Sequence, residues 1–267
     1  MRPIVLAIVL TAVAVSGCGK KKPAQTTDVE TIPSGFIEID LSDEEDELDE
    51  LLGSELSMAI APCGDLVRLE PAAIMGRLKD PEIRCLDKML RESEKQTVKK
   101  KVSLVVMKDA WAKRDLHRWE GIVRRHLSEI DRSDPSMCYI FAKHLSKKGP
   151  DYMQEAIKWA DIALENRAVW EGDEFVDRVF NLRKMKAVSA HKEWRWLAEK
   201  YTLDPTEELD QLQQTARNRT KTLAREWLDY AREADRDITN AHQLCISAAG
   251  TDGFCDEGDD GTSEGGE

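Results

Sequence analysis

Apolar residues return every three or four positions along most of this chain, and between Pro71 and Ala241 the strict alternation of a half-buried strand is scarce. A period near 3.6 predicts helices. Four dipeptides divide the stretch: Asp80-Pro81, Asp134-Pro135, Gly149-Pro150 and Asp204-Pro205. An aspartate carboxylate can accept from the orphan amides of a helix start, and proline fits the first turn because its missing N–H would have no partner there. Asp204-Pro205-Thr206-Glu207 also places an acid three residues after the presumed cap, as a capping box does. Helices are therefore predicted to begin at these points, and the fold class expected for 54–250 is all-α.

The clearest unit is DPSMCYIFAKHLSKKGPDYMQEAIKWADIALEN, Asp134 to Asn166. It has a small residue, Ala142, in its first helix and Ala156, Ala160 and Ala163 in its second. Two antiparallel helices pack closely only where the side chains at their crossing are short. In length and alanine placement the unit resembles a tetratricopeptide (TPR) repeat, a helix-turn-helix of about 34 residues. The preceding stretch, AWAKRDLHRWEGIVRRHLSEIDRSDP, fits the same frame with Trp119 at the position of Ala156, although Arg114 stands where the family usually has glycine. Further back, Ile83, Leu86 and Met89 around Cys85 supply an apolar face. Downstream, EFVDRVFNLRKMKAVSAHKEWRWLAEKY reads as another hairpin-sized stretch with Val179, Leu182, Ala187 and Ala190 inward. The resemblance implies a degenerate TPR-like array, an α-solenoid, over 54–203; a generic array of helical hairpins is the alternative.

After Pro205 the stripe Leu209, Leu212, Ala216, Thr220, Leu223, Trp227, Tyr230, Ala234, Ile238, Ala241 predicts one long helix, of about 35 residues by its spacing, within 204–250. Its expected role is to cover the last repeat, since repeat arrays need polar caps. A coiled-coil seam is the competing reading, but its alanines and Thr220 would pack poorly, so a monomer is expected.

Charge changes the picture at the ends. The net charge is -12, yet residues 54–250 carry 33 acidic and 35 basic groups, whereas 1–53 carry 11 and 4 and 251–267 carry 7 and none. Acidic ends with little apolar content are expected to be disordered, giving a tether at 18–53 and a tail at 251–267. Within the tether, 36–52 mixes leucines and isoleucines with acids, a composition suited either to docking on a basic groove or to a solvated linker.

At the start, Pro3 to Val15 is thirteen residues without a charge, preceded by Arg2, too short to span a membrane comfortably and shaped like a secretory signal at 1–17. Val15-Ser16-Gly17-Cys18 resembles the lipobox of bacterial lipoproteins. That resemblance implies cleavage before Cys18, lipidation (diacylglycerol and usually palmitate) on Cys18, and a membrane-anchored protein facing the periplasm. Gly19 in place of an aspartate favours the outer membrane; the inner membrane and the cell surface remain open. Two or more acyl chains make such an anchor durable.

Outside the cytoplasm disulfides persist. With Cys18 lipidated, Cys138 sits in an apolar helical stretch and suits a core thiol, which leaves Cys63 with Cys85 and Cys245 with Cys255 as the pairs suggested by order along the chain. Zinc is disfavoured, since no C-x2-C occurs and the five histidines are scattered, and nothing implies a cofactor. No nucleophile elbow, H-E-x-x-H or phosphate loop is present, so no enzyme is expected. Runs such as Lys99-Lys100-Lys101 read as solvated faces, not a nucleic-acid site. Of seven tryptophans, Trp170, in RAVWEGDE near a turn, is the candidate contact residue. The expected function is a scaffold whose repeats bind a protein partner of the cell envelope, in assembly, motility or secretion; an envelope hydrolase or enzyme accessory is the alternative.

Overall fold

The computed structural model describes residues 56–250 and 253–256. The signal segment, Cys18, the tether with 36–52, and the tail apart from 253–256 lie outside them. The described residues belong to one compact unit spanning Leu41–Glu267 and are helical, with no strand among them. After a helical turn at 56–60 come α1 (Leu66–Ile74), α2 (Asp80–Glu92), α3 (Gln96–Ala112), α4 (Leu116–Arg125), α5 (Pro135–Leu145), α6 (Met153–Glu165), α7 (Gly172–Leu203), α8 (Glu207–Glu233), α9 (Thr239–Ala249) and the single turn α10 (Gly253–Asp256). No helix among them is long and apolar enough to cross a membrane.

The punctuating dipeptides mark helix starts with one exception. Asp134 caps α5 by accepting from Met137 N–H at 2.9 Å. Asp80 is the first residue of α2, one place past the cap Lys79, whose N–H donates to Glu82 at 2.9 Å. Gly149-Pro150 opens a 3-10 turn that leads into α6. Asp204 instead closes α7, and the cap of α8 is Thr206, whose Oγ1 accepts from Leu209 N–H at 3.2 Å.

Two elements differ from expectation. The hairpin-sized stretch at 174–201 is part of a single 32-residue helix, α7; after Gly172 it holds no glycine or proline to turn it. The long helix expected over 205–241 breaks after Glu233. Asp235 takes a left-handed φ of 50°, Arg236 N–H donates to Ala231 O at 2.8 Å and Asp235 N–H to Arg232 O at 3.2 Å, a Schellman ending. Asp237 then accepts from Thr239 N–H at 2.9 Å and starts α9, which packs back on α8. Leu223 and Trp227 of α8 and Ala241 of α9 share one core, so the stripe resumes after the break, while Ile238 at the break is exposed. So α8 is the second arm of a hairpin with α7, and the shorter α9 covers it.

The helix α3 is the centre of the amino-terminal part, with α1, α2 and α4 packed on it. Its residues 101 to 107 are all buried. Lys101, expected on a solvated face, is among them and pairs with the partly exposed Glu70 of α1 at 2.5 Å. Asp109, 0 % exposed, accepts from Leu78 N–H (3.2 Å), Lys113 (2.9 Å) and Arg118 (3.2 Å), tying the α1–α2 link, α3 and α4 together. The turn from α3 to α4 holds Arg114 at φ 58°, with Asp115 N–H donating to Ala110 O at 2.9 Å, the same Schellman geometry without glycine.

Beyond α4 the chain folds into α5 against α6 and α7 against α8, with α7 also on α6. Helices α5 and α7 run side by side in the same direction: Arg178 donates to Ser136 Oγ at 2.8 Å and Lys192 to Ser146 O at 2.8 Å, so contacts advance together along both. Cys63 is joined to Cys85 and Cys245 to Cys255, Cα atoms 5.4 and 6.0 Å apart; these are the pairs suggested by chain order. Cys138 is free and buried. Burial, with Asp134 and Asp131 nearby, pushes its thiol up to about 12.

Candidate functional site

Trp170 is not the exposed contact residue expected. It is 5 % exposed. Its ring meets Tyr139 edge-on with centroids 6.3 Å apart, and the Arg178 guanidinium lies 5.1 Å from its centre. The turn that follows α6 folds inward because the indole fills the space at the amino-terminal end of the α5–α7 pair.

The surface that this packing builds is more informative. Tyr139 and Lys143 stand four residues apart on α5 and so share one face, and Lys147, in the turn just past Leu145, is close enough to repel Lys143. On α7, Arg178 and Asn181 meet Tyr139, and three turns further on Lys192 reaches the carboxyl end of α5. Burial raises the Tyr139 phenol, although Arg178 and Asn181 act against it. Burial, then the repulsion of Lys147, lowers Lys143. Burial alone lowers Lys192. Among the described residues no carboxylate partners the ammonium of Lys143, Lys147 or Lys192. Lys143 has only the Tyr139 ring, 5.6 Å away. Lys147 and Lys192 are exposed, Lys192 donating to Ser146 O; Lys143 is half-buried, a position that disfavours its charged form, and a carboxylate brought onto this face would relieve that cost.

The seam between α4, α5 and α6 shows the opposite condition. Arg124 bridges Glu120 (3.0 Å) and Glu155, Lys148 pairs with Glu120, and Trp159 Nε1–H donates to Glu155 at 3.2 Å. The bond to Arg124 leads in lowering the Glu155 carboxyl and bonding to Glu155 in raising Arg124. Burial would raise Glu120, but Lys148 and Arg124 together bring it down. Burial and Lys148 hold His144, packed edge-on against Trp119, below the usual imidazole range. Every charge here is answered within the fold, so this seam fastens helices and leaves nothing to bind.

A third cluster carries residue types known from hydrolases. Ser103 Oγ lies 2.7 Å from His126 Nδ1, and His126 Nε2 lies 3.1 Å from Asp134 Oδ2. Catalytic trios place the hydroxyl on Nε2 and the carboxylate on Nδ1; here the order is reversed. The Ser103 hydroxyl also donates to Lys100 O at 2.7 Å, all three side chains are buried, and Asp134 at the same time caps α5. Burial opposes ionisation of Asp134, yet the His126 bond, the Met137 amide and Lys100 hold its carboxyl below the usual range. The cluster ties α3 to the start of α5 through the π-turn His126–Ile130. Among the described residues, no group of three or more His, Cys, Asp or Glu gathers as a metal site.

Lys143, Lys147 and Lys192 are not among the candidate residues read from the sequence. The spacing of Tyr139 and Lys143 is a usable signal; that Lys192 joins them depends on the pairing of α5 with α7. Compared with known protein families, curated proteins and solved structures, the chain matches none.

Proposed function

We propose that this protein is a lipid-anchored, periplasm-facing scaffold of the bacterial outer membrane whose tetratricopeptide-like helical hairpins hold a protein partner of the cell envelope. The anchor rests on Val15-Ser16-Gly17-Cys18 after a short apolar run. The array rests on the hairpins α3–α4, α5–α6 and α7–α8 and on the parallel setting of α5 and α7. The observation that carries the binding role is Lys143 on the α5–α7 face, half-buried against the Tyr139 ring, with exposed Lys147 and Lys192 near it and no carboxylate in ion-pair contact with the three among the described residues. Such a face suits an acidic segment of the partner, because electrostatic complementarity guides encounter and fixes register.

Affinity capture of the lipidated protein from crosslinked cells is the test. A specific envelope protein should be recovered with the wild type and lost with the variant Lys143→Glu, Lys147→Glu, Lys192→Glu, provided that variant keeps its helical spectrum. Equal recovery with both would defeat the binding site. A separate check applies to the anchor: Cys18→Ser should leave an unprocessed, unlipidated precursor, and unchanged lipid labelling would refute it.

A further inference from the structure

Helix α1 is apolar on two sides. Leu66, Leu69 and Ala73 face the core, while Val67, Ile74 and the following Met75 stand 78, 60 and 57 % exposed. Val67, Pro71 and Ile74 lie at i, i+4 and i+7, one continuous outward stripe. Apolar residues on all sides characterise a buried helix, and singly exposed ones need no explanation; a stripe along the length of a helix does. Arg68 and Arg77, both exposed, flank it, Arg68 with one side already on Glu82 at 2.7 Å.

The same chain holds a matching segment. Residues 41–52 read LSDEEDELDELL, with Leu48, Leu51 and Leu52 spaced as one helical stripe and seven acids between Asp43 and Glu50. They contain no basic residue. The segment ends four residues before Leu56, which shares a core with Leu66 and Leu69. Four residues reach at most about 14 Å, about the length of α1 itself. A tether so short raises the local concentration of the segment to the order of millimolar, ahead of any free competitor of similar chemistry.

We propose that residues 41–52 pack across the outward face of α1, leucines on Val67, Ile74 and Met75 and carboxylates toward Arg68 and Arg77, as an intramolecular cover. This does not depend on the partner site of the α5–α7 face.

The test uses the full chain with the photoreactive residue benzoylphenylalanine in place of Ile74, purified at low micromolar concentration with anionic phosphatidylglycerol vesicles present. Irradiation should give a product of monomer mass whose link maps to 41–52. A dimer-mass product, transfer to lipid, a link elsewhere in the chain or no link would each overturn the proposal. Because a bulky probe could itself disturb the face, a second measurement uses Val67→Asp/Ile74→Asp, both surface positions. Cleavage within 41–52 by a glutamate-specific protease should be about tenfold faster than in the wild type, since cleavage of a docked segment follows its open population. Equal rates would overturn it as well.

Discussion

The core around α3 and the core between α7, α8 and α9 are built from different side chains, and they should fail in different ways. The first is filled by Leu86, Leu90, Val105, Val106, Met107, Trp119 and Phe141 and encloses charged groups, Asp109 above all. The second has Ala187, Ala190, Ala224 and Ala241 among its ten buried residues, with Ile157, Leu223, Trp227 and Leu228 as its large members. Its charged groups are buried too, but each has fewer partners than Asp109: Lys186, 8 % exposed, pairs with Asp161 (2.8 Å) and Glu226 (3.4 Å), and Glu193, 6 % exposed, with Gln154 (2.6 Å) and Arg219 (3.1 Å). Arginines on α8 hold the far end by donating to backbone carbonyls: Arg217 to Ala248 at 2.9 Å, Arg232 to Cys255 at 3.1 Å, and Arg225 to Phe254. Large side chains fill volume but leave an enclosed ion dependent on every donor. Alanines allow close helix approach and leave no room for growth.

The largest effect should come from the enclosed ion. Asp109→Ala removes the acceptor shared by Lys113, Arg118 and the Leu78 amide, at a cost of about 3–5 kcal/mol, whereas Glu193→Ala, which removes one acceptor from each of Gln154 and Arg219, should cost about 1–3 kcal/mol; urea unfolding compares them, and equal losses would erase the contrast. Next, reduction should remove about 2–4 kcal/mol per disulfide. Thiol alkylation with and without reductant should add four reactive thiols, and detection of all four beforehand would contradict the pairing. Ala190→Leu should cost about 1–3 kcal/mol by overpacking, while Met107→Leu in the first core should cost less than about 1.5 kcal/mol because volume is kept. The reverse order would mean that the alanines are not at tight crossings.

Acid should weaken the first region through named groups. Asp134, Glu120 and Glu155 have carboxyls lowered by folding, so the stability they contribute is present above their unfolded values, about pH 4, and is lost as pH falls through the lower folded values. His144, a base lowered by folding, acts in the same direction: protonation of the unfolded chain begins first as pH drops below about 6.5. Asp134→Asn should flatten the acid limb of stability against pH, and an unchanged limb would remove Asp134 from the account. The smallest effect is a gain. Arg114→Gly relieves a left-handed φ and should add about 1 kcal/mol.

How much of this could be read beforehand varies by element for physical reasons. The α5–α6 hairpin announced itself because each helix buries one stripe and its turn contains Gly149-Pro150. The centre α3 has no clear stripe, being covered from several sides, and opens with three lysines that resemble a surface. Arg114 and Asp235 end helices in a conformation usually signalled by glycine, so both endings were silent, and at Asp235 the stripe ran on into α9. Trp170 looked free because its neighbours in sequence are polar, while its ring meets Tyr139, 31 positions earlier. The lysine face required knowing that Ser146 lies against Lys192, a pairing that periodicity does not encode.

The central claim, that the α5–α7 face is occupied in the cell by an acidic partner, is tested most directly by lysine acetylation footprinting. Lys143, Lys147 and Lys192 in intact cells should label severalfold more slowly than in the purified protein, while exposed Lys88 labels equally in both. Equal labelling of the three lysines in cells and in purified protein would contradict the account.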